Sequence, residues 1–138
     1  MKTMPHLLWV FVVLFWGCSA VSREDISHLE GYWIIKEVRA HGEVFEPRGN
    51  APMVDYYHFY DQSKGTKIKM SPTFDGTFLR SDDQARFVID HVYDRFYLSY
   101  DHALKPWKEE IITLNAQELI LHHNEKTYHY KRFQKIIP

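Results

Sequence analysis

One cysteine, Cys18, stands in a chain of 138 residues, so no intramolecular disulfide holds this fold together. Long hydrophobic runs are missing too. The longest, Leu7–Trp16, has ten residues, about half of the roughly 20 that a bilayer-spanning helix needs. Neither charge sign dominates, with 17 basic and 18 acidic side chains. No lysine or arginine cluster appears, which removes support for nucleic-acid binding. The sequence also lacks G-x-S-x-G, G-x-G-x-x-G, P-loop and H-E-x-x-H signatures, so no common hydrolase, dinucleotide, nucleotide or zinc-protease chemistry is indicated. Glycine and proline number six each and fall between the apolar stretches, as strands require.

What is present begins with the leader. Lys2 followed by Leu7–Trp16 has the charge and length of a signal-peptide n-region and h-region. Gly17-Cys18, with hydrophobic residues before them, resembles a lipoprotein cleavage site. The resemblance implies that residues 1–17 are removed and that Cys18 becomes a lipidated N-terminus, anchoring the protein to a membrane. Phe15 and Trp16 depart from the commonest form of that site. Plain secretion, with cleavage after Ala20, is the alternative. Ser19, rather than Asp, follows the cysteine, which by the same resemblance favours the outer membrane of a Gram-negative bacterium. Arg23-Glu24-Asp25 reads as solvated linker, and residues 18–27 as a tether.

The remainder is one domain, long enough to bury a core without disulfides or metal. All nine tyrosines lie in it, with seven phenylalanines and two tryptophans, a composition that favours strands. Ser22–Leu29 is expected as a short helix, Ser22 capping it with Asp25 three residues on. Beyond Gly31, short apolar runs broken by turn residues predict strands at Tyr32–Ala40, Asp55–Tyr60, Thr66–Ser71, Thr77–Arg80, Ala85–Val92, Arg95–Tyr100, Lys108–Leu114, Glu118–His123 and Thr127–Phe133. About nine strands at near-regular spacing indicate an all-β sandwich or barrel. In the last hairpin, an even-numbered loop at Asn124-Glu125 sets Leu121 opposite Tyr128 and Leu119 opposite Tyr130 on one apolar face, with His122, Thr127 and His129 outward. His122 and His123 point to opposite faces and cannot share a metal ion; His122 and His129 have no third ligand beside them. No metal or cofactor is expected. The acidic pairs Asp82-Asp83 and Glu109-Glu110 read as solvated turn or strand-edge residues.

Gly31-Tyr32-Trp33 at the start of the first strand, with Arg132 on the last, resembles the G-x-W and terminal-arginine pattern of lipocalins. Trp107-x-Glu109, Leu114, Leu119, Leu121 and Tyr128-x-Tyr130-x-Arg132 extend the likeness to bacterial lipocalin-like lipoproteins. The resemblance spans about residues 28–134 and implies an all-β, antiparallel up-and-down barrel of about eight strands with a short N-terminal helix. Trp33 would plug one end beneath Arg132. Tyr57, Phe59, Ile68, Met70, Phe87, Ile89, Leu119, Leu121, Tyr128 and Tyr130 would line the interior and hold a small hydrophobic or amphipathic ligand. Simple alternation from Trp33 and Ile35 brings Glu37 inside as a polar anchor, unless a bulge turns it out. Two other functions remain open. A barrel filled by its own side chains would serve as an envelope interaction module, with the long His41–Val54 connection as contact surface. An enzyme working at the barrel mouth has no residue constellation to support it.

Overall fold

In the computed structural model the described residues are 20–49, 52–101 and 105–134; Cys18 and the apolar run before it lie outside them. A 3₁₀ helix, Glu24–Leu29, precedes nine strands: β1 Gly31–Ala40, β2 Glu43–Phe45, β3 Val54–Phe59, β4 Lys64–Pro72, β5 Phe78–Val92, β6 Arg95–Tyr100, β7 Trp107–Leu114, β8 Glu118–His123 and β9 Lys126–Arg132. Each neighbouring pair from β3 to β9 is antiparallel, and β1 closes the ring by pairing with both β3 and β9. The result is an up-and-down barrel of eight strands, which leaves no long sheet edge exposed. The short β2 pairs with the far end of β1, at Val38–Ala40, on the edge that β3 uses nearer the start. No helix among the described residues is long and apolar enough to cross a membrane.

Local chemistry explains the tight connections. Three two-residue turns place both central residues at positive φ: His41-Gly42, Tyr93-Asp94 and Asn124-Glu125. Such turns match the right-handed twist of the strands they join. The last of them sets the even register of the final hairpin, Leu121 opposite Tyr128 and Leu119 opposite Tyr130. Ahead of β1, the Ser22 hydroxyl accepts from the Asp25 N–H while the Asp25 carboxylate accepts from the Ser22 N–H at 2.8 Å. That reciprocal pair is a capping box, here opening a 3₁₀ rather than an α turn. Ile26 and Leu29 then drop into the core, and Val21 packs against it. The expected tether of residues 18–27 is thus, in its described part, laid against the barrel.

Three expectations need correction. Thr77–Arg80 and Ala85–Val92 are parts of one strand, β5. Between Ile68/Gln84 and Met70/Arg80 its register slips, so that Ser81, Asp82 and Asp83 face Lys69 alone. This wide bulge turns the β4–β5 hairpin back over the outer wall. There Phe78 stacks on Tyr32 at 4.6 Å, Tyr32 on Tyr56 at 4.5 Å, and Phe133 meets Phe78 edge-on. Ile68 and Met70, expected inside, belong to this outer layer: they lie opposite Tyr56 and Val54, the outward neighbours of Tyr57 and Asp55. Cover by the hairpin is what keeps Val54 and Ile68 buried although they face out. The third correction is Glu37. A bulge between Ile35 and Glu37 shifts the alternation of β1 by one, leaving Ile35 inside with Tyr130 and Val38 inside with Tyr128. Glu37 therefore points out, where it accepts from Arg39 Nε at 2.7 Å.

Candidate functional site

The barrel is divided along its axis. At one end Trp33, Leu29, Ile26, Phe96, Leu98, Ile111, Leu114, Leu119 and Leu121 form a continuous apolar core. The Trp33 indole is completely buried and donates from Nε1 to the Leu29 carbonyl at 2.8 Å. Above it, the Arg132 guanidinium carbon sits 4.0 Å from the ring centroid. Its nitrogens donate to the carbonyls of Glu30 at 2.7 Å, Ala116 at 3.0 Å and His28. One side chain thereby ties the 3₁₀ helix, the β7–β8 turn and the plug together. Gly31 is required here: its φ is +125°, and a Cβ would come within 2.5 Å of Arg132 Nη1. The fold is lipocalin-like.

Comparison with known proteins adds little beyond that. No family model matches the chain, and no curated protein does. Among solved structures, a lipocalin-like protein from Bacteroides uniformis aligns with a TM-score of 0.49 and 11% identity, over 77% of this chain and 99% of that one. An uncharacterized protein from Bacteroides eggerthii gives 0.47 and 10%, over 76% and 99%.

At the opposite end this lipocalin-like barrel opens into a cup of about 900 Å³. Lys67, Lys105, Pro106, Trp107, Lys108, Glu109, His123, Asn124, Tyr128 and Tyr130 line it. The side chains that enter come from strands whose alternation is fixed by the apolar end. On β3, Asp55 shares the inward face with Tyr57; on β4, Lys67 shares it with Gly65; on β7, Glu109 lies between Trp107 and Ile111. Lys67 and Asp55 form an ion pair at 3.5 Å with side chains only 16% and 13% exposed. The Lys67 ammonium also lies over the rings of Tyr57 and Tyr100, at 5.7 and 5.9 Å. Glu109 accepts from Tyr100 Oη at 3.4 Å and Trp107 Nε1 at 3.3 Å, and those two rings stack at 4.7 Å. The Tyr57 hydroxyl is buried without a hydrogen-bond partner.

Electrostatics bear the imprint of this crowding. Burial, then the nearby Tyr100 and Glu109, pushes the Tyr57 phenol well above its ordinary pKa. Tyr100 is raised in the same way by burial and Glu109, and Tyr130 by burial, Asp55 and Glu109. All three phenols therefore stay neutral at the base of the cup.

Of the expected lining residues, Tyr128 and Tyr130 reach the cup wall. Tyr57 lies at its base, in ring contact with Phe87, which also meets Phe59 and Tyr100 edge-on. Leu121, Leu119 and Ile89 pack in the core below. Glu37 and Met70 are outside the barrel. Asp55, Lys67, Tyr100, Trp107 and Glu109 were not anticipated as site residues. The signal for three of them was alternation: Asp55-x-Tyr57-x-Phe59 and Trp107-x-Glu109-x-Ile111 each put a carboxylate on an apolar face. Lys67 had no such signal, since only its pairing with Tyr57 shows which way it points. His129 and His122 sit on the outer wall, and the ring Nδ1 of His123 lies 2.7 Å from the Lys108 carbonyl at the rim, so that nitrogen carries the proton. Among the described residues no group of three His, Cys, Asp or Glu side chains is arranged to hold a metal ion.

Proposed function

We propose that this protein is an exported binding protein that holds a small amphipathic molecule in the open cup. The observation that supports it most directly is the cup itself, aromatic on its walls and polar at its base, above an end sealed by Trp33 and Arg132. Concave, mostly apolar sites with a few placed polar groups are what small-molecule recognition requires. Above the core that ends at Tyr57, Tyr100 and Tyr130 the barrel mouth keeps open space, which favours a ligand over a purely structural module. Export and attachment to the outer membrane through lipid on Cys18 belong to the same proposal. They rest on the leader: Lys2, the ten-residue apolar run, and a lone cysteine right after it. An attachment there suits the fold, because Ala20 and Val21 lie beside Asp94 and Arg95, at the closed end. The cup then faces away from the anchor.

Native mass spectrometry of the purified protein, after incubation with an envelope lipid and metabolite extract, tests the binding. A discrete added mass that Trp107→Ala abolishes supports it, and a bare mass in every extract refutes it. Cys18→Ser tests the anchor: the variant is expected to lose processing and membrane association, and retention of both refutes lipidation.

A second function has its own observation. Val44 and Phe45 on β2, Met53 just before β3, Phe74 in the β4–β5 connection and Leu79 on β5 are exposed near the open end. Apolar surface of this kind is a feature of protein contacts. The His41–Val54 connection is therefore the place to look for a protein partner.

A further inference from the structure

Glu109 has no lysine, arginine or histidine within ion-pair distance among the described residues, whereas Asp55 and Lys67, which also face the inside of the barrel, hold each other. Lys67 is taken by Asp55. The ammonium of Lys108 is held by Asp90, 3.2 Å away on the outer wall. Lys105 stands on the exposed rim, where water screens it. Among the described residues the hydrogen bonds to the Glu109 carboxylate are long ones, from Tyr100 Oη and Trp107 Nε1, and they come from two rings stacked face to face beside it. A half-buried carboxylate with weak partners is costly to keep charged unless a cation joins it. Aromatic faces next to that carboxylate are the other element of cation recognition.

Resting on the proposal that the cup binds a small amphiphile, we infer that its ligand is an organic cation, an amine-bearing amphiphile. Its ammonium sits against Glu109, bordered by Tyr100, Trp107 and Tyr128. The polar head thus points down toward the base of the cup, and the apolar portion lies along Trp107 and Tyr128 toward the rim. An anionic ligand would find its nearest interior cation already paired and partly covered by two phenol rings.

Three probes of matched shape distinguish the possibilities: phenylpropylamine, phenylpropanol and phenylpropanoate, titrated into the purified protein by calorimetry and by the fluorescence of Trp107. The amine is expected to bind at least about tenfold more tightly than either of the others. Glu109→Gln keeps the side-chain shape and an acceptor for Trp107 Nε1, with Tyr100 Oη able to turn and accept from the new amide, so it should remove that advantage while leaving the alcohol's affinity within about threefold. Unchanged melting temperature and circular dichroism show that the variant is folded. If the alcohol or the carboxylate binds as well as the amine, the cation preference is overturned while the cup remains a binding site. If the carboxylate binds best and Lys67→Met abolishes it, Lys67 is the anchor and the charge preference is reversed. Binding of none of the three overturns the cation preference, and a bare mass in every extract would then remove the binding function as well.

Discussion

Arg132 is the side chain on which the closed end depends, and its removal has a magnitude that can be worked out. Its guanidinium donates to three backbone carbonyls, those of His28, Glu30 and Ala116, and covers the Trp33 ring at 4.0 Å. A hydrogen bond from a charged donor contributes about 1.5–3 kcal/mol when its partner stays dry. The carbonyls of Glu30 and Ala116 are exposed, so water replaces the donor there and about 0.5–1 kcal/mol is lost at each. The partly buried His28 carbonyl loses about 1.5 kcal/mol, and the cation–π contact about 1 kcal/mol. Arg132→Met, which keeps the aliphatic stem over the indole, should therefore destabilise the protein by about 3.5–4.5 kcal/mol. Chemical denaturation would show this as a lower midpoint with an unchanged slope, and the melting temperature should fall by roughly 12 °C for a domain of this size. Arg132→Lys retains the charge but not the planar fork that reaches three carbonyls, so less than half of the loss is recovered. A loss below about 1 kcal/mol for Met, or full recovery with Lys, would refute the view that this fork holds helix, turn and plug together.

Other perturbations test separate parts of the fold. Tyr93 is 95% exposed and has φ of +48°, a left-handed conformation that gains it nothing; Tyr93→Asn should stabilise by about 0.5–1 kcal/mol, and a loss of stability on thermal denaturation would count against this account. At the tip of the β4–β5 hairpin, hydroxyls of Thr73 and Thr77 hold the Asp75 carboxyl at about 2. Because the folded value lies below the unfolded one, the tip gains stability above about pH 4 and loses it as pH falls toward 2; carboxyl NMR should locate the titration there, and Thr73→Val should raise it. The phenols of Tyr57, Tyr100 and Tyr130 are shifted the other way, upward. Their contribution is intact below about pH 10 and declines as pH rises beyond it, because the unfolded chain gives up these protons first. Ultraviolet titration should show them ionising only as the protein unfolds, and reversible ionisation of all three near pH 10 in a folded protein would refute their burial.

How much was legible depended on whether a residue's direction follows from its own strand or from a neighbour's. The final hairpin was readable because Leu119, Leu121, Tyr128 and Tyr130 have only one register that buries all four. Trp33 and Arg132 were readable because the plug needs a large ring and a long cation at adjoining strand ends. Glu37 was misplaced by one extra residue: a bulge at Lys36 inverts the alternation, and no glycine or proline marks it. Ile68 and Met70 were misplaced for a different reason. Their apolar character reflects a second, outer layer under the folded-back hairpin, and that layer depends on contacts between Phe78, Tyr32 and Phe133 far apart in the chain. Once β4 is turned in this way, Lys67 must face in, a lysine that composition alone would assign to solvent.

Phe87 is the boundary between the two halves of the barrel. Its ring meets Tyr57, Phe59 and Tyr100 edge-on, and it reaches across to β4 because Gly65 has no side chain: a Cβ there would stand 2.5 Å from the ring and 2.4 Å from the His58 carbonyl. Below this shelf every buried group is apolar or, like Trp33 Nε1, satisfied. Above it lie the Asp55–Lys67 pair, three phenols and Glu109, groups that a core selected for stability alone would replace with hydrocarbon, since buried ion pairs add little. Closure is already complete at the other end through Trp33, Arg132 and the 3₁₀ helix, so the polar groups are not needed to seal the barrel. Their placement at the open end, on rigid strands and around a cavity, is what the proposed binding function would require. On that proposal, substitutions at Lys67 or Glu109 should alter binding while the closed end, held by Trp33, Arg132 and the 3₁₀ helix, keeps the fold.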